Sequence, residues 1–258
     1  MSERKEKIIL ENLKKMFNLT FQQERSESYR DIFRETYKDD YTEQANPDSF
    51  VTLTELQIIA KNLNVEPGKT FIDLGCGRGG PGLWIARETG ANYIGIDFAE
   101  SALEEAKRRA LNTKIDGEFE FQVGNMYSLN FPDNHLDGAI SIDVLSFLPD
   151  PFPAIKETAR ILHSKAYFIF TTWELKKLEI YKDYHPYLQD AGFEIKSYEE
   201  TPNWREHQQE VYQKTLELKD VLIKDMGKFV ALSFINEAET YLPILNDLKR
   251  ILAIAMKI

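Results

Sequence analysis

Residues Phe71 to Gly80 read FIDLGCGRGG: an apolar run stops at Asp73, and glycine then falls at 75, 77, 79 and 80. The pattern predicts a buried strand entering a tight turn, followed by a helix over Pro81 to Arg87 whose first backbone N–H groups have no partner within the helix. Glycines in such a turn let the main chain bend sharply and approach a ligand with no Cβ in the way. The stretch is a candidate nucleotide-binding turn, and it predicts an α/β fold.

Downstream of this turn, apolar strands alternate with helical stretches. Strands are expected at Tyr93–Ile96, Glu118–Val123, Leu136–Ile142, Ala166–Thr171 and Phe193–Tyr198, with helices over Glu100–Leu111, Phe152–Ile161 and Ile180–Ala191. That βαβ rhythm predicts a doubly wound, mostly parallel sheet. From Asn203 to about Asp247 it gives way to long polar helical stretches, Trp204–Asp225 and Lys228–Glu239, before a last strand at Arg250–Lys257.

Upstream, Ile8, Ile9, Leu13, Met16 and Phe17 recur at helical spacing within residues 5–19, and a second helix is expected from Tyr29 to Lys38. Asn46-Pro47-Asp48 breaks the chain, and a third helix follows from Thr52 to Leu63, ended by Glu66-Pro67-Gly68. The expected division is a helical lid (1–50), a core (51–202), a helical insertion capping the substrate (203–247) and a final core strand (248–258).

Composition narrows the function. A formal net charge of −10 argues against a nucleic-acid binder, because phosphate contacts need a basic patch and only short stretches such as Lys107 to Arg109 offer one. Cys76 is the single cysteine, which excludes an internal disulfide. The charged opening MSERKEKIIL carries no long apolar run, so neither a signal peptide nor a membrane span is expected, and the protein reads as cytoplasmic with a small-molecule partner. His135, His163, His185 and His207 are too scattered for metal-ligand spacing, and no metal is expected.

Gly75 to Gly80 also satisfies the dinucleotide fingerprint G-x-G-x-x-G, with Asp97 as its acid at the end of the next strand. Asp73 separates the alternatives. A carboxylate two residues before the first glycine would face the pyrophosphate of a dinucleotide, whereas it could pair with the ammonium of S-adenosylmethionine.

Here the chain resembles the class I methyltransferases, over roughly residues 50 to 200 and again at the final strand. Five stretches carry the resemblance in the same order: FIDLGCGRGG, Asp97 in YIGIDFAE, VGNMYSLNFPDNHLDGAI, AISIDVLSFLPDP and the Asp190 to Phe193 turn DAGF. The resemblance implies a seven-stranded Rossmann-like sheet whose last strand runs antiparallel beside the sixth, and S-adenosylmethionine as cofactor with S-adenosylhomocysteine as product.

It also implies roles. Asp73 and the backbone of Gly75 and Gly77 would hold the methionine ammonium and carboxylate, and Asp97 would accept both ribose hydroxyls. Phe98 would lie on one adenine face. Asn125, where the family more often has Asp, would accept from the adenine amine, and Met126 would offer its backbone N–H and an apolar contact. Asp143, ending the fourth strand, would sit near the methionine moiety and the acceptor; alternatively it caps the helix at Phe152 or pairs with a Lys or Arg.

The motif GRGGPG is most similar to small-molecule methyltransferases acting on sugars, sterols, quinones and other secondary metabolites. Many of those place a histidine after the fourth strand as general base, and some an aspartate after the fifth. Here those positions read Val144 to Leu148 and Thr171-Thr172-Trp173, with neither. The expected reaction is in-line methyl transfer to a nitrogen or oxygen, or to a carbon, with any base supplied by the insertion: His207 first, with Glu206, Glu210 and His185 beside it. The alternative is a protein that binds S-adenosylmethionine without turnover; a nicotinamide dehydrogenase is disfavoured by Asp73 and by Asn125-Met126. A monomer or homodimer is expected.

Overall fold

The computed structural model describes residues 3–21, 26–45, 49–175 and 183–258. The expected chain break at Asn46-Pro47-Asp48 and the first residues of the helix expected from Ile180 lie outside these. In chain order the elements before the sheet are α1 (Glu3–Phe21), α2 (Glu27–Tyr37) and α3 (Leu53–Leu63). The core follows as β1 (Thr70–Leu74), α4 (Gly80–Thr89), β2 (Asn92–Asp97), α5 (Glu100–Asn112), β3 (Phe119–Val123), β4 (Leu136–Ile142), α6 (Phe152–Ile161), β5 (Leu162–Leu175), α7 (His185–Asp190) and β6 (Phe193–Glu200). Then come α8 (Trp204–Glu217), α9 (Lys219–Tyr241) and β7 (Leu248–Lys257).

The sheet has seven strands in the order β3-β2-β1-β4-β5-β7-β6. Strands β1 to β5 pair in parallel, and β7 runs antiparallel to both β5 and β6. This is the doubly wound, mostly parallel arrangement expected, with the last strand antiparallel. The sheet order reverses at β1, with β2 on one side and β4 on the other, and a cleft opens there at the carboxyl ends of the strands.

Local chemistry explains the boundaries. Thr52 and Glu55 form a reciprocal capping box that starts α3. Gly79, with φ of 75°, and Pro81 set the sharp entry into α4. Strand β5 outruns the six residues expected for it, because β7 pairs with it continuously from Tyr167↔Met256 to Leu175↔Leu248. In the insertion, the break expected between Asp225 and Lys228 falls instead at Leu218, and Gly227 is a kink within α9 with φ of 76°. Glycine alone tolerates that angle at little steric cost.

Gly82 shows why the motif continues past Gly80. A Cβ there would come within 2.4 Å of the Tyr93 ring, so α4 can lie on β2 only with no side chain at this position. Gly82→Ala is expected to destabilise the fold by about 1–3 kcal/mol, the ordinary range for overpacking a filled core. Urea denaturation checks it, and an unchanged midpoint would remove the argument.

Candidate functional site

The glycine turn is held in place by its neighbours. The N–H groups of Gly75 and Cys76 both donate to the Ile96 carbonyl, at 2.8 and 3.0 Å, which ties the turn after β1 to the end of β2. Gly75 has φ of +77°, and a Cβ on it would meet a Val144 methyl at 2.6 Å. Asp97 then braces the turn: Oδ2 accepts from Gly77 N–H and Oδ1 from Ala99 N–H, each at 2.8 Å. A carboxylate has about four lone-pair sites, more than these two backbone donors fill by themselves.

Asp73 is 2% exposed and accepts from the Tyr93 hydroxyl at 3.3 Å. Burial pushes its carboxyl up to about 8, the Tyr93 hydrogen bond opposes this, and the nearby Asp97 charge adds to it. A buried acid this uncomfortable as an anion is suited to meeting a cation. If an ammonium group is its partner, binding at pH 7 must first remove a proton from Asp73. Affinity for S-adenosylhomocysteine is therefore expected to rise as pH increases from 6 to 7.5, and the binding enthalpy at pH 7 to depend on the ionisation enthalpy of the buffer. Calorimetry in two buffers tests both, and buffer-independent enthalpy with constant affinity would exclude Asp73 as the partner.

One cavity of about 1110 Å³ gathers Asp73, Gly75, Gly77, Asp97, Phe98, Asn125, Met126 and Asp143 on its wall. Pockets for one small ligand hold roughly 300–1,000 Å³, so the space suffices for a nucleoside-sized molecule and a second ligand. The glycine cradle, the braced Asp97 and the flanking Ile96, Phe98 and Met126 fit a nucleoside bearing an amino-acid tail. Asn125 Oδ1 already accepts from Tyr127 N–H at 3.0 Å, so a further donor would share that oxygen.

Helix α1 roofs the cavity. The Ser101 hydroxyl shares its one proton between Asn18 O at 3.0 Å and Oδ1 at 3.2 Å, and Phe17 packs edge-on against both Phe98 and Phe147. On α2, Tyr29 reaches the cavity, while Phe33 and Tyr37 are buried against α8 and α9.

Asp143 reaches the wall, but its oxygens are committed. Arg250 Nη2 lies 3.2 and 3.1 Å from them, Thr171 Oγ1 donates at 2.8 Å, and Phe50 N–H donates at 3.1 Å. The cation-pairing alternative for Asp143 is the one found, with a partner 107 residues away, while at the start of the helix at Phe152 it is Asp150 Oδ1 that accepts from the Phe152 N–H, at 3.0 Å. Arg250 also pairs with Glu55, so three ionisable groups share one buried site, with Arg250 at 1%, Glu55 at 3% and Asp143 at 7% exposure. An acid engaged on all sides has no free lone pair with which to take a proton from an acceptor.

His207 does not line the large cavity. It sits edge-on to Tyr37, 4.8 Å between ring centres, in a separate space of about 10 Å³ bounded by Thr201, Gln208 and Arg250. The first choice for the general base thus stands beside Tyr37 and Trp204 and is not brought to the cavity that gathers the glycine turn and Asp73. His185 lies beside Asp183 and over Tyr198, also away from the cavity. Trp173 does line it, whereas Trp204 is buried against it from outside. Among the described residues no cluster of His, Cys, Asp or Glu could hold a metal, and no helix is long and apolar enough to cross a membrane.

Phe50, Tyr212 and Glu237 are cavity residues that periodicity did not single out. Glu237 falls in a helical stretch with a polar pattern, where a solvated acid and a pocket acid look alike.

Comparisons with known proteins agree with this geometry. A family profile described as a methyltransferase domain matches residues 72–170. Methyltransferase phqN of Penicillium fellutanum is 31% identical over 137 residues, which are 53% of this chain and 41% of that protein. The chain spans less than half the length of the curated relatives it matches. Among solved structures, the [4+2]-cyclase SpnF superposes with a TM-score of 0.68 at 22% identity, over 78% of this chain and 79% of that one. Phosphoethanolamine N-methyltransferase 2 of Haemonchus contortus, in complex with S-adenosyl-L-methionine, does so with a TM-score of 0.70 at 17% identity, over 88% of this chain and 56% of that one.

Proposed function

We propose, from the methyltransferase-domain profile that matches residues 72–170, that the chain transfers a methyl group from S-adenosylmethionine to a nitrogen or oxygen nucleophile, or to a carbon, of a small metabolite. The observation that carries this reading is the shared cavity: the glycine turn, Asp73 and Asp97 line one end, and side chains from α8 and α9 line the other. When bound, S-adenosylmethionine supplies a methyl group already activated by its sulfonium, so the protein's task is alignment and exclusion of water.

The chain's own residues divide that task. Asp73 receives the ammonium, Asp97 receives the ribose hydroxyls, and Phe98, Asn125 and Met126 receive the adenine. Asp143 acts at one remove: by accepting the Phe50 N–H and holding Arg250, it fixes the wall between the two ends of the cavity. Residues 1–50 serve as the lid and 203–247 as the cap over the acceptor.

A second reading is binding without methyl transfer, and the similarity to a protein described as a cyclase favours keeping it. Calorimetry decides the cofactor: S-adenosylhomocysteine is expected to bind and NAD not to, and the reverse would sink both readings. Release of radiolabelled methyl from S-adenosylmethionine into an organic extract, in the presence of candidate acceptors, then separates turnover from binding.

A further inference from the structure

The acceptor end of the cavity has a distinct chemistry. Its walls are apolar, with Trp173, Leu175, Val230, Phe234, Ile244 and Leu248 among the side chains facing it. Two of the polar side chains that α9 contributes are turned back onto their own helix, Ser233 Oγ donating to the Val230 carbonyl at 2.7 Å and Thr240 Oγ1 to the Asn236 carbonyl at 2.6 Å, while Asn236 also lines the cavity. Against this background stands one polar pair built across two helices. The Tyr212 hydroxyl on α8 donates to Glu237 Oε1 on α9 at 3.0 Å, and both residues line the cavity.

The direction of that hydrogen bond matters. With its proton aimed at Glu237 and the Gln208 amide donating to its oxygen, the Tyr212 hydroxyl keeps one lone pair for a donor coming from the cavity. Burial and the Glu237 charge push the Tyr212 hydroxyl well above the ordinary tyrosine range, so it remains protonated and oriented. Its ring lies 6.0 Å from that of Phe50, whose N–H is fixed by Asp143 at the end of β4. Tyr212 therefore stands one ring beyond the point where the cofactor end of the cavity stops.

We infer that the acceptor is a largely apolar molecule without phosphate or carboxylate, carrying a neutral hydroxyl or amine whose hydrogen is received by Tyr212. The inference rests on the methyltransferase reading above and names its substrate class. Tyr212 is the catalytic residue in this scheme, and Glu237 positions it. As the nucleophile's lone pair bonds to the methyl carbon, the carbon–sulfur electron pair withdraws to sulfur. The nucleophile's proton passes to the Tyr212 oxygen, and the Tyr212 proton to Glu237. The positive charge of the sulfonium and the negative charge of the carboxylate are removed together.

Three probes sharing one tail separate the possibilities: 4-octylphenol, 4-octylanisole and 4-octylphenyl phosphate, each titrated into the full chain saturated with S-adenosylhomocysteine. The phenol is expected to bind about tenfold more tightly than the anisole, the size of one good hydrogen bond, and more tightly than the phosphate. Tyr212→Phe, which keeps the ring, should abolish the preference for phenol over anisole while leaving anisole and S-adenosylhomocysteine binding unchanged. Glu237→Gln should reduce the preference about fivefold with the same two controls unmoved; a merely structural role would shift all three ligands together.

Stronger binding of the phosphate than of the phenol, or equal binding of phenol and anisole by the wild type, overturns the inference while S-adenosylhomocysteine still binds. Failure of S-adenosylhomocysteine itself to bind overturns the methyltransferase reading instead, and with it this one.

Discussion

Asp97→Ala is expected to weaken S-adenosylhomocysteine binding by at least about 100-fold. The loss has two sources. Hydrogen bonds to a charged group contribute about 1.5–3 kcal/mol each, so two ribose hydroxyls on this carboxylate amount to about 3 kcal/mol at the low end, or roughly a hundredfold. The same side chain also braces Gly77 N–H and Ala99 N–H from either side of the turn, so its removal loosens the cradle as well as the ribose contact. Asp97→Asn keeps one acceptor oxygen and should fall between, near tenfold. Calorimetric titration decides, with circular dichroism to verify the fold. An alanine variant that binds within threefold of wild type would take the ribose away from Asp97.

The second large effect concerns stability. Arg250→Met is expected to destabilise the protein by about 3–5 kcal/mol, because it strands Glu55 and Asp143 in the interior without their shared cation. At roughly 2–4 °C per kcal/mol for a chain of this size, the melting temperature should drop by about 10 °C. The effect has a definite pH dependence. Burial raises the Glu55 carboxyl even beside Arg250, and without that partner the opposing attraction disappears. A carboxyl that is neutral when folded and ionised when unfolded binds more protons in the folded state, so stability falls as pH rises above the ordinary glutamate value. The variant should therefore be closer to wild type at pH 5 than at pH 8 in urea denaturation. A uniform loss at both values would mean that packing, and not charge, dominates at this site.

The sheet and the cofactor end were legible because each depends on local chemistry. FIDLGCGRGG encodes a strand, a turn and a helix start within ten residues, and Asp97 lies one strand later at the end of an apolar run. The same holds for Phe98, Asn125 and Met126, which follow β2 and β3 at the edge where ligands bind in open α/β sheets. The acceptor end depends on contacts that sequence spacing does not carry. Asp143 meets Arg250 only because β7 returns between β5 and β6, and Tyr212 meets Glu237 only because α8 and α9 fold back on each other. His207 shares a helix with Tyr212, but it turns toward Tyr37 and the Arg250 side, a difference of rotation that no residue type announces.

The placement of β7 has a bearing on how the chain matures in a cell. Among the described residues, strand β6 joins the sheet only through β7, and β5 is flanked on that side by β7 alone. Until residues 248–257 have emerged from the ribosome, the nine residues of β5 from Tyr167 to Leu175 present an unpaired, largely apolar edge. Such an edge is a template for pairing with other chains, so the nascent protein is at its most chaperone-dependent after β5 has emerged and before β7 closes over it. Synthesis that stalls within the α8–α9 segment should yield aggregates, while synthesis that continues past β7 should yield soluble protein.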